Sequence, residues 1–151
     1  MTSQIRNIAL AALVAAASLA PALHAQNSII HARVNVPFSF DYGTTHFSRG
    51  TYVITMSGDD ALLVRNRMTS QSAMVLARLD ESPIPADASL VTFKKYGDRW
   101  FLENVQIAGN GTSVSVYESK AERQAAQELA SRGQDATQVA LALLPEGAFG
   151  K

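Results

Sequence analysis

The chain contains no cysteine, and this absence excludes several kinds of protein. A disulfide framework, thiol chemistry, haem attached through cysteine and a lipid anchor on a terminal cysteine all require that side chain. The fold must therefore be held together by its core and its hydrogen bonds alone.

The chain also has no excess of either charge, with 13 basic and 13 acidic side chains whose signs are mixed along the sequence. Nucleic-acid binding depends on clustered cations that neutralise phosphates. The composition therefore argues against a nucleic-acid partner.

The longest apolar run is also too short for a membrane span. It covers residues 8–19, about a dozen positions, whereas a bilayer-crossing helix needs roughly 20. Arg6 precedes the run and Ala25 ends the small-residue segment that follows it, which is the pattern of a secretory signal. We expect residues 1–25 to be a signal peptide, with cleavage after Ala22 as the alternative. The mature protein would be periplasmic or extracellular, with no stable membrane span.

From Ile29 to about residue 119 the chain alternates short β-branched and aromatic runs with turn residues. This pattern predicts a mainly β, antiparallel fold, a seven- or eight-stranded sandwich or small barrel with one C-terminal helix. The expected strands are Ile30–Phe40, Thr51–Met56, Ala61–Arg65, Ala73–Leu79, Leu90–Tyr96, Trp100–Ile107 and Thr112–Tyr117, with a short piece at Thr45–Phe47.

The turn residues predict that most strands pair with their sequence neighbours as a meander. Gly97-Asp98 and Gly109-Asn110-Gly111 suit tight hairpins. The longer joint from Asp80 to Ser89 contains two prolines, so we expect it to cross between sheet halves or over a barrel end.

A capping box marks the start of the helix, because Ser119 is followed three residues later by Glu122. We expect a helix from Lys120 to about Arg132, closed by Gly133, so that the β-domain with its helix covers residues 26–133. Residues 134–151 form a tail that is either disordered or adds one further strand, and Thr137–Leu144 fits a strand or a short helix.

Four segments resemble a group of small exported acidobacterial proteins of unknown function. They are Val34–Phe40 (VNVPFSF), Gly50–Val53 (GTYV), Leu90–Leu102 (LVTFKKYGDRWFL) and Ser119–Arg123 (SKAER). Two departures are Lys94-Lys95 in place of a His-Arg pair, and Ser48-Arg49-Gly50 in place of Pro-Ala-Gly. The resemblance implies export and a β-fold, and it implies no activity.

Candidate catalytic and metal-binding residues are few. His31 and His46 are too few for a zinc site without cysteine, and Asp59-Asp60 is better explained as a turn. No serine lies in a Gly-x-Ser-x-Gly motif. We therefore predict no catalytic residue, no metal site and no cofactor, and we disfavour an enzyme.

One candidate binding surface remains, around the Gly97-Asp98 turn. It combines cations and aromatic side chains: Lys94, Lys95, Tyr96, Arg99 and Trp100. Such a cluster can bind a glycan or a peptide, but cross-strand packing around a hairpin, with the cations facing water, is the favoured explanation.

Three functions are compatible with these features. The favoured one is a non-catalytic envelope or secreted module that binds another macromolecule or has a structural role. The alternatives are a β-barrel that binds a small ligand or glycan, and a hydrolase whose catalytic groups leave no linear motif.

The position of Ala25 predicts that the exported protein begins at Gln26. N-terminal sequencing of the exported protein should find this residue first. Retention of Met1 would contradict the predicted signal.

Overall fold

The computed structural model describes residues 30–81, 87–109 and 111–145. The predicted signal peptide, its cleavage site, Pro83, Pro85 and Asn110 lie outside the described residues. Within them the protein is mainly β, with one helix, which confirms the predicted fold class. The strands are β1 (His31–Val36), β2 (Phe40–Tyr42), β3 (Thr45–Phe47), β4 (Gly50–Ser57), β5 (Ala61–Asn66), β6 (Ser72–Glu81), β7 (Leu90–Tyr96), β8 (Arg99–Gln106), β9 (Thr112–Val116), β10 (Thr137–Ala142) and β11 (Leu144–Pro145), and the helix is α1 (Lys120–Ser131).

The described residues hold eleven strands where seven or eight were expected, and the additional ones are short. The expected strand Ile30–Phe40 is broken after Val36, because Pro37 has no N–H for a ladder. The tail supplies two more strands, so of the two structures considered for Thr137–Leu144 the strand is correct.

One long strand joins the two halves of the sheet. Residues Ser72–Leu76 of β6 pair with β5, while Ala77–Glu81 pair with β9. The strand order is β10-β7-β8-β9-β6-β5-β4-β1-β11, and the sheet is not closed into a barrel. The crossing between the halves lies within β6 itself, because its second part belongs to the same half as β9, β8 and β7. The expected crossing in the joint from Asp80 to Ser89 is therefore wrong: this joint connects two strands of one half. Of the two architectures that were expected, a sandwich and a small barrel, the structure has the sandwich.

The hairpin formed by β2 and β3 sits beside the first half of β8. Asp41 of β2 pairs with Phe101 of β8 in a parallel bridge, whereas the other described strand pairs are antiparallel. The hairpin is thereby held against a strand far from it in sequence.

The main core lies between the two halves. It is built from the inward-pointing residues of strands along which buried and exposed side chains alternate. In β1 and β4 the alternation of apolar residues predicts that Val34, Val36, Tyr52, Ile54 and Met56 point inward, and all five are buried in this core. Burial of such side chains stabilises the fold by about 1.5–3 kcal/mol each.

The helix begins and ends at the residues that the sequence indicated. Ser119 Oγ accepts the Glu122 N–H at 3.1 Å, which completes one half of the capping box. At the other end Gly133 has a φ of 67°, and the Gln134 N–H donates to the Leu129 carbonyl at 3.2 Å. This is a Schellman motif, which explains the glycine.

The helix packs on the outer side of β7 and β8 and forms a second, small core there. Ala125 and Leu129 contact Tyr96 and Phe101, all four of them buried. No helix among the described residues is long and apolar enough to cross a bilayer.

The packing of the helix on the sheet predicts that substitutions at its buried, capping and exposed positions lower the free energy of unfolding by different amounts. Leu129→Ala should lower the free energy of unfolding by about 2–5 kcal/mol, because Leu129 is the largest helical side chain in the small core. Ser119→Ala should lower it by about 0.5–2 kcal/mol through loss of the cap. Urea unfolding measures both, with exposed Gln127→Ala as the control expected within about 0.5 kcal/mol of wild type.

A chain ending at Tyr117 provides the opposing test. This chain lacks β10 and β11 as well as the helix, so unfolding at the wild-type urea midpoint would show that none of the three elements stabilises the sheet.

Candidate functional site

The five residues of the candidate binding surface do not share one face of the sheet. Lys95 and Trp100 are directly opposite each other and face the main core, while Lys94, Tyr96 and Arg99 face the helix side. Neighbouring strand residues point to opposite faces, so the cluster separates into two groups. A binding role for the five residues stays a prediction.

The core-side group is largely engaged in packing. The Trp100 indole stacks on Phe38 with ring centroids 4.2 Å apart, and Lys95 Nζ lies 5.5 Å from the indole centroid. One face of the indole is therefore covered by a side chain of the same protein, which leaves less of it for stacking on a glycan.

Arg99 joins a network that the sequence did not indicate. Its Nε and one terminal nitrogen lie 3.0 Å from Asp41 Oδ2, and His46 Nδ1 lies 2.6 Å from Asp41 Oδ1. Asp41 thus ties the β2–β3 hairpin to the start of β8. The imidazole is oriented by a carboxylate but is largely exposed, with 66% of its side-chain surface accessible.

The other histidine and the paired aspartates occupy ordinary positions. His31 Nδ1 lies 3.1 Å from Thr55 Oγ1 at the surface, and Asp59 and Asp60 lie in the turn between β4 and β5. Among residues 30–81, 87–109 and 111–145 no group of three His, Asp or Glu side chains could hold a metal ion.

A β-bulge creates a polar cleft next to the helix. The pairing register of β7 and β8 shifts between Thr92 and Phe93, so Thr92 pairs with Asn104 and Phe93 with Leu102. The extra residue, Glu103, points to the helix side together with Asn104, and both line one cleft. Strict alternation would have placed these two neighbours on opposite faces.

Glu103 is held in place by two neighbouring strands. Lys94 Nζ lies 2.7 Å from its Oε1, and Gln138 Nε2 donates to its Oε2 at 2.7 Å. The bond to Glu103 raises the pKa of Lys94, which keeps the ammonium charged.

Glu122 is the unusual member of the cleft, because it is an acidic residue only 3% exposed. Burial raises its pKa from 4.5 to about 7, and the charge of Glu118 adds to the rise. Lys94 and the Ser119 backbone N–H lower it, the second through the other half of the capping box. Near neutral pH the side chain is therefore divided between its neutral and charged forms.

The whole cleft, which we call the α1 cleft, has a volume of about 410 Å³. Three carboxyl side chains, Glu103, Glu118 and Glu122, line it with one lysine, Lys94, so acidic groups outnumber basic ones. Such a site favours a cationic ligand over an anionic one.

A second feature is an exposed apolar strip on the outer side of β6. Met74, Leu76 and Tyr117 are 50%, 57% and 49% exposed, and the Tyr117 N–H donates to the Leu76 carbonyl at 3.0 Å. Leu63 pairs with Met74 on the neighbouring strand and is partly exposed. We call these four residues the β6 face.

The β6 face and the α1 cleft are connected. A groove of about 510 Å³ contains Arg78, Tyr117 and Arg123 and shares Ser115, Val116 and Glu118 with the cleft. Arg78 lies 6.0 Å from the Tyr117 ring centroid. A molecule bound on the face can therefore reach the cleft along this groove.

Comparison of the chain with family models, with curated proteins and with solved structures found no match.

Sequence reasoning missed both the α1 cleft and the β6 face. The apolar residues on both faces of Ala73–Leu79 are a signal in the sequence, but such a pattern is typical of a central strand or of a strand that lies under a helix. In the structure β6 is central, yet Met74 and Leu76 are exposed.

The raised pKa of Glu122 predicts a particular dependence of stability on pH. The folded state keeps a proton that the unfolded state loses near pH 4.5, so this group makes stability fall as pH rises from about 4.5 to 7. The loss is at most about 3 kcal/mol and is complete above that range.

Urea unfolding of wild type and Glu122→Gln at intervals from pH 4.5 to 8.5 isolates this contribution. Glutamine keeps the cap and cannot ionise, so the variant should lack the fall. Parallel stability curves for the two proteins would show that Glu122 titrates normally.

Proposed function

We propose that the protein is an exported, non-catalytic module that binds another protein through the β6 face. The observation that carries the proposal is the exposure of Met74, Leu76 and Tyr117, each about half accessible and adjacent to one another. Scattered apolar residues on a surface are common, but contiguous ones mark interaction sites.

The composition of the surrounding surface supports a protein partner. Protein interfaces are enriched in Tyr, Met and Arg and depleted in Lys, Asp and Glu. The outward positions of β1, β4 and β5, and of β6 as far as Leu76, hold Arg33 and Arg65 and carry no acidic residue and no lysine.

Export is the second part of the proposal, and it rests on the sequence. The charged start, the short apolar run and the small residues up to Ala25 support it, as does the resemblance to small exported proteins. A domain without cysteine folds equally well in an oxidising compartment, since it has no disulfide to form.

The two alternative functions have weaker support. A glycan-binding site at Trp100 would need an open aromatic face. Phe38 covers one face of the Trp100 indole, which reduces the aromatic surface open to a glycan. A hydrolase would need a shielded catalytic group, whereas His46, the histidine oriented by a carboxylate, is largely exposed.

Photo-crosslinking in the cells that make the protein tests the β6 face. A benzoylphenylalanine placed at Leu76 or at Tyr117 should give one adduct of the same defined mass from either position. The same amino acid at Gln127, exposed on the helix, is the matched control and should give none.

Leu76→Ser combined with a photo-crosslinker at Tyr117 should reduce the adduct severalfold without changing the urea midpoint, because Leu76 is exposed. An adduct equally strong from Gln127, or none from either face position, would contradict the proposal. An adduct with the mass of two copies of this chain would show that the β6 face mediates self-association and does not bind a different protein.

A further inference from the structure

We propose that the α1 cleft binds a basic side chain of the protein that docks on the β6 face, with its cation between Glu118 and Glu122. This inference rests on the proposed function, and it specifies the chemistry of the partner: an apolar contact surface next to a lysine or arginine.

The connection between the two features supports a single bound partner. Tyr117 belongs to the β6 face, and it lines the groove whose far end, at Ser115, Val116 and Glu118, is also a wall of the cleft. A partner on the face therefore has a continuous path for one long side chain.

The size of the cleft suits that side chain. Its volume of about 410 Å³ equals that of roughly a dozen water molecules in the liquid, which exceeds the space that one lysine or arginine side chain needs. Thr92, Asn104 and Gln138 add hydroxyl and amide groups at the walls, which can accept hydrogen bonds from an ammonium or guanidinium group.

The charges in the cleft leave a place for a cation. Lys94 is bound to Glu103 at 2.7 Å, and neither Glu118 nor Glu122 forms an ion pair within the described residues. A guanidinium group has five N–H donors and is more weakly hydrated than an ammonium group, so arginine is the better fit for a partly buried site.

Glu122 points to a ligand because its charge is not needed for its structural role. A capping box requires an acceptor for the Ser119 N–H, and glutamine supplies one without ionising. The structure nevertheless places a carboxyl group in a position 3% exposed, where a lone charge is costly and a cationic partner would stabilise it.

Binding should depend on pH, because the cation favours ionised Glu122. The charged and titratable groups around Glu122 are Lys94 and Tyr96 on β7, Glu103 on β8, and Glu118 before the helix. Arg123 lines the adjoining groove, where its guanidinium donates to the Glu118 carbonyl at 2.7 Å. Since the pKa of Glu122 is about 7, affinity should increase as pH rises through neutrality.

The test uses two blocked amino acids that differ by one charge, acetyl-arginine methylamide and its neutral isostere acetyl-citrulline methylamide. Each is titrated into the full protein, and carbon-13 methyl spectra follow Thr92 and Val116, which line the cleft. The arginine compound should cause saturable shifts in the millimolar range, as expected for one side chain, and the citrulline compound should cause none.

Changing the pH and Glu122 completes the test. An opposite charge nearby lowers a carboxyl pKa by 1–3 units, so wild-type affinity at pH 8.5 should exceed that at pH 5.5 by roughly tenfold or more. Glu122→Gln should remove this difference and bind at pH 8.5 as weakly as wild type does at pH 5.5. Glu128→Gln, on the same helix but away from the cleft, should bind as wild type does.

Three results would overturn the inference: equal binding of the two compounds, no saturable shift, or wild-type affinity in Glu122→Gln at pH 8.5. None of them affects the crosslinking result at Leu76, so failure of the cleft proposal and failure of the β6 face proposal can be told apart.

Discussion

The change of partner within β6 is the constraint on which the rest of the structure depends. Between Leu76 and Ala77 the strand leaves β5 and joins β9, so one continuous strand belongs to both halves of the sandwich. Main-chain groups at such a point lose regular ladder partners and must find others. Here the Leu76 N–H donates to the Tyr42 hydroxyl at 3.0 Å, and the Ala77 N–H donates to the Asp60 carbonyl at 2.9 Å.

This arrangement also explains why one part of the outer surface is covered and another is exposed. The helix follows β9 closely and turns back over β7 and β8, where Ala125 and Leu129 reach Tyr96 and Phe101. Leu76 on β6 and Tyr117 directly after β9 lie at the partner change, and neither belongs to the small core under the helix. The apolar strip is therefore a consequence of the chain path, and within residues 30–81, 87–109 and 111–145 it stays exposed.

The sequence predicted the features that depend on neighbouring residues. Alternation located the inward faces of β1 and β4, and the capping box and Gly133 located both ends of the helix, because each of these signals acts over a few positions. The break after Val36 was missed although Pro37 was visible, since the flanking residues continue the β pattern. Here the missing N–H of proline outweighed strand propensity.

The features that the sequence did not predict depend on contacts between distant segments. The bulge that directs Glu103 toward the helix is fixed by the pairing of β7 with β8, and a strict period of two gives the wrong face for one of Glu103 and Asn104. The ion pair of Asp41 with Arg99 joins residues 58 positions apart, and it exists only because β2 lies beside β8. The residue types were sufficient to suggest candidate functional residues, but the path of the chain determines which of these residues are in contact.

Asn66 and Glu122 are buried polar side chains that both accept backbone N–H groups, with different consequences for the protein. Asn66 Oδ1 accepts the Met68 and Thr69 N–H groups at 2.8 and 3.1 Å. Because the amide side chain does not ionise, these hydrogen bonds do not depend on pH. Glu122 likewise accepts a backbone N–H, yet it adds an ionisable charge to a cleft that already contains Glu103 and Glu118. A proton and a cationic ligand would compete for that carboxylate, and linkage requires each to weaken the other equally. Because Glu122 is part of the helix cap, occupation of the cleft would also set how helix stability responds to pH, and this coupling needs no movement of the sheet.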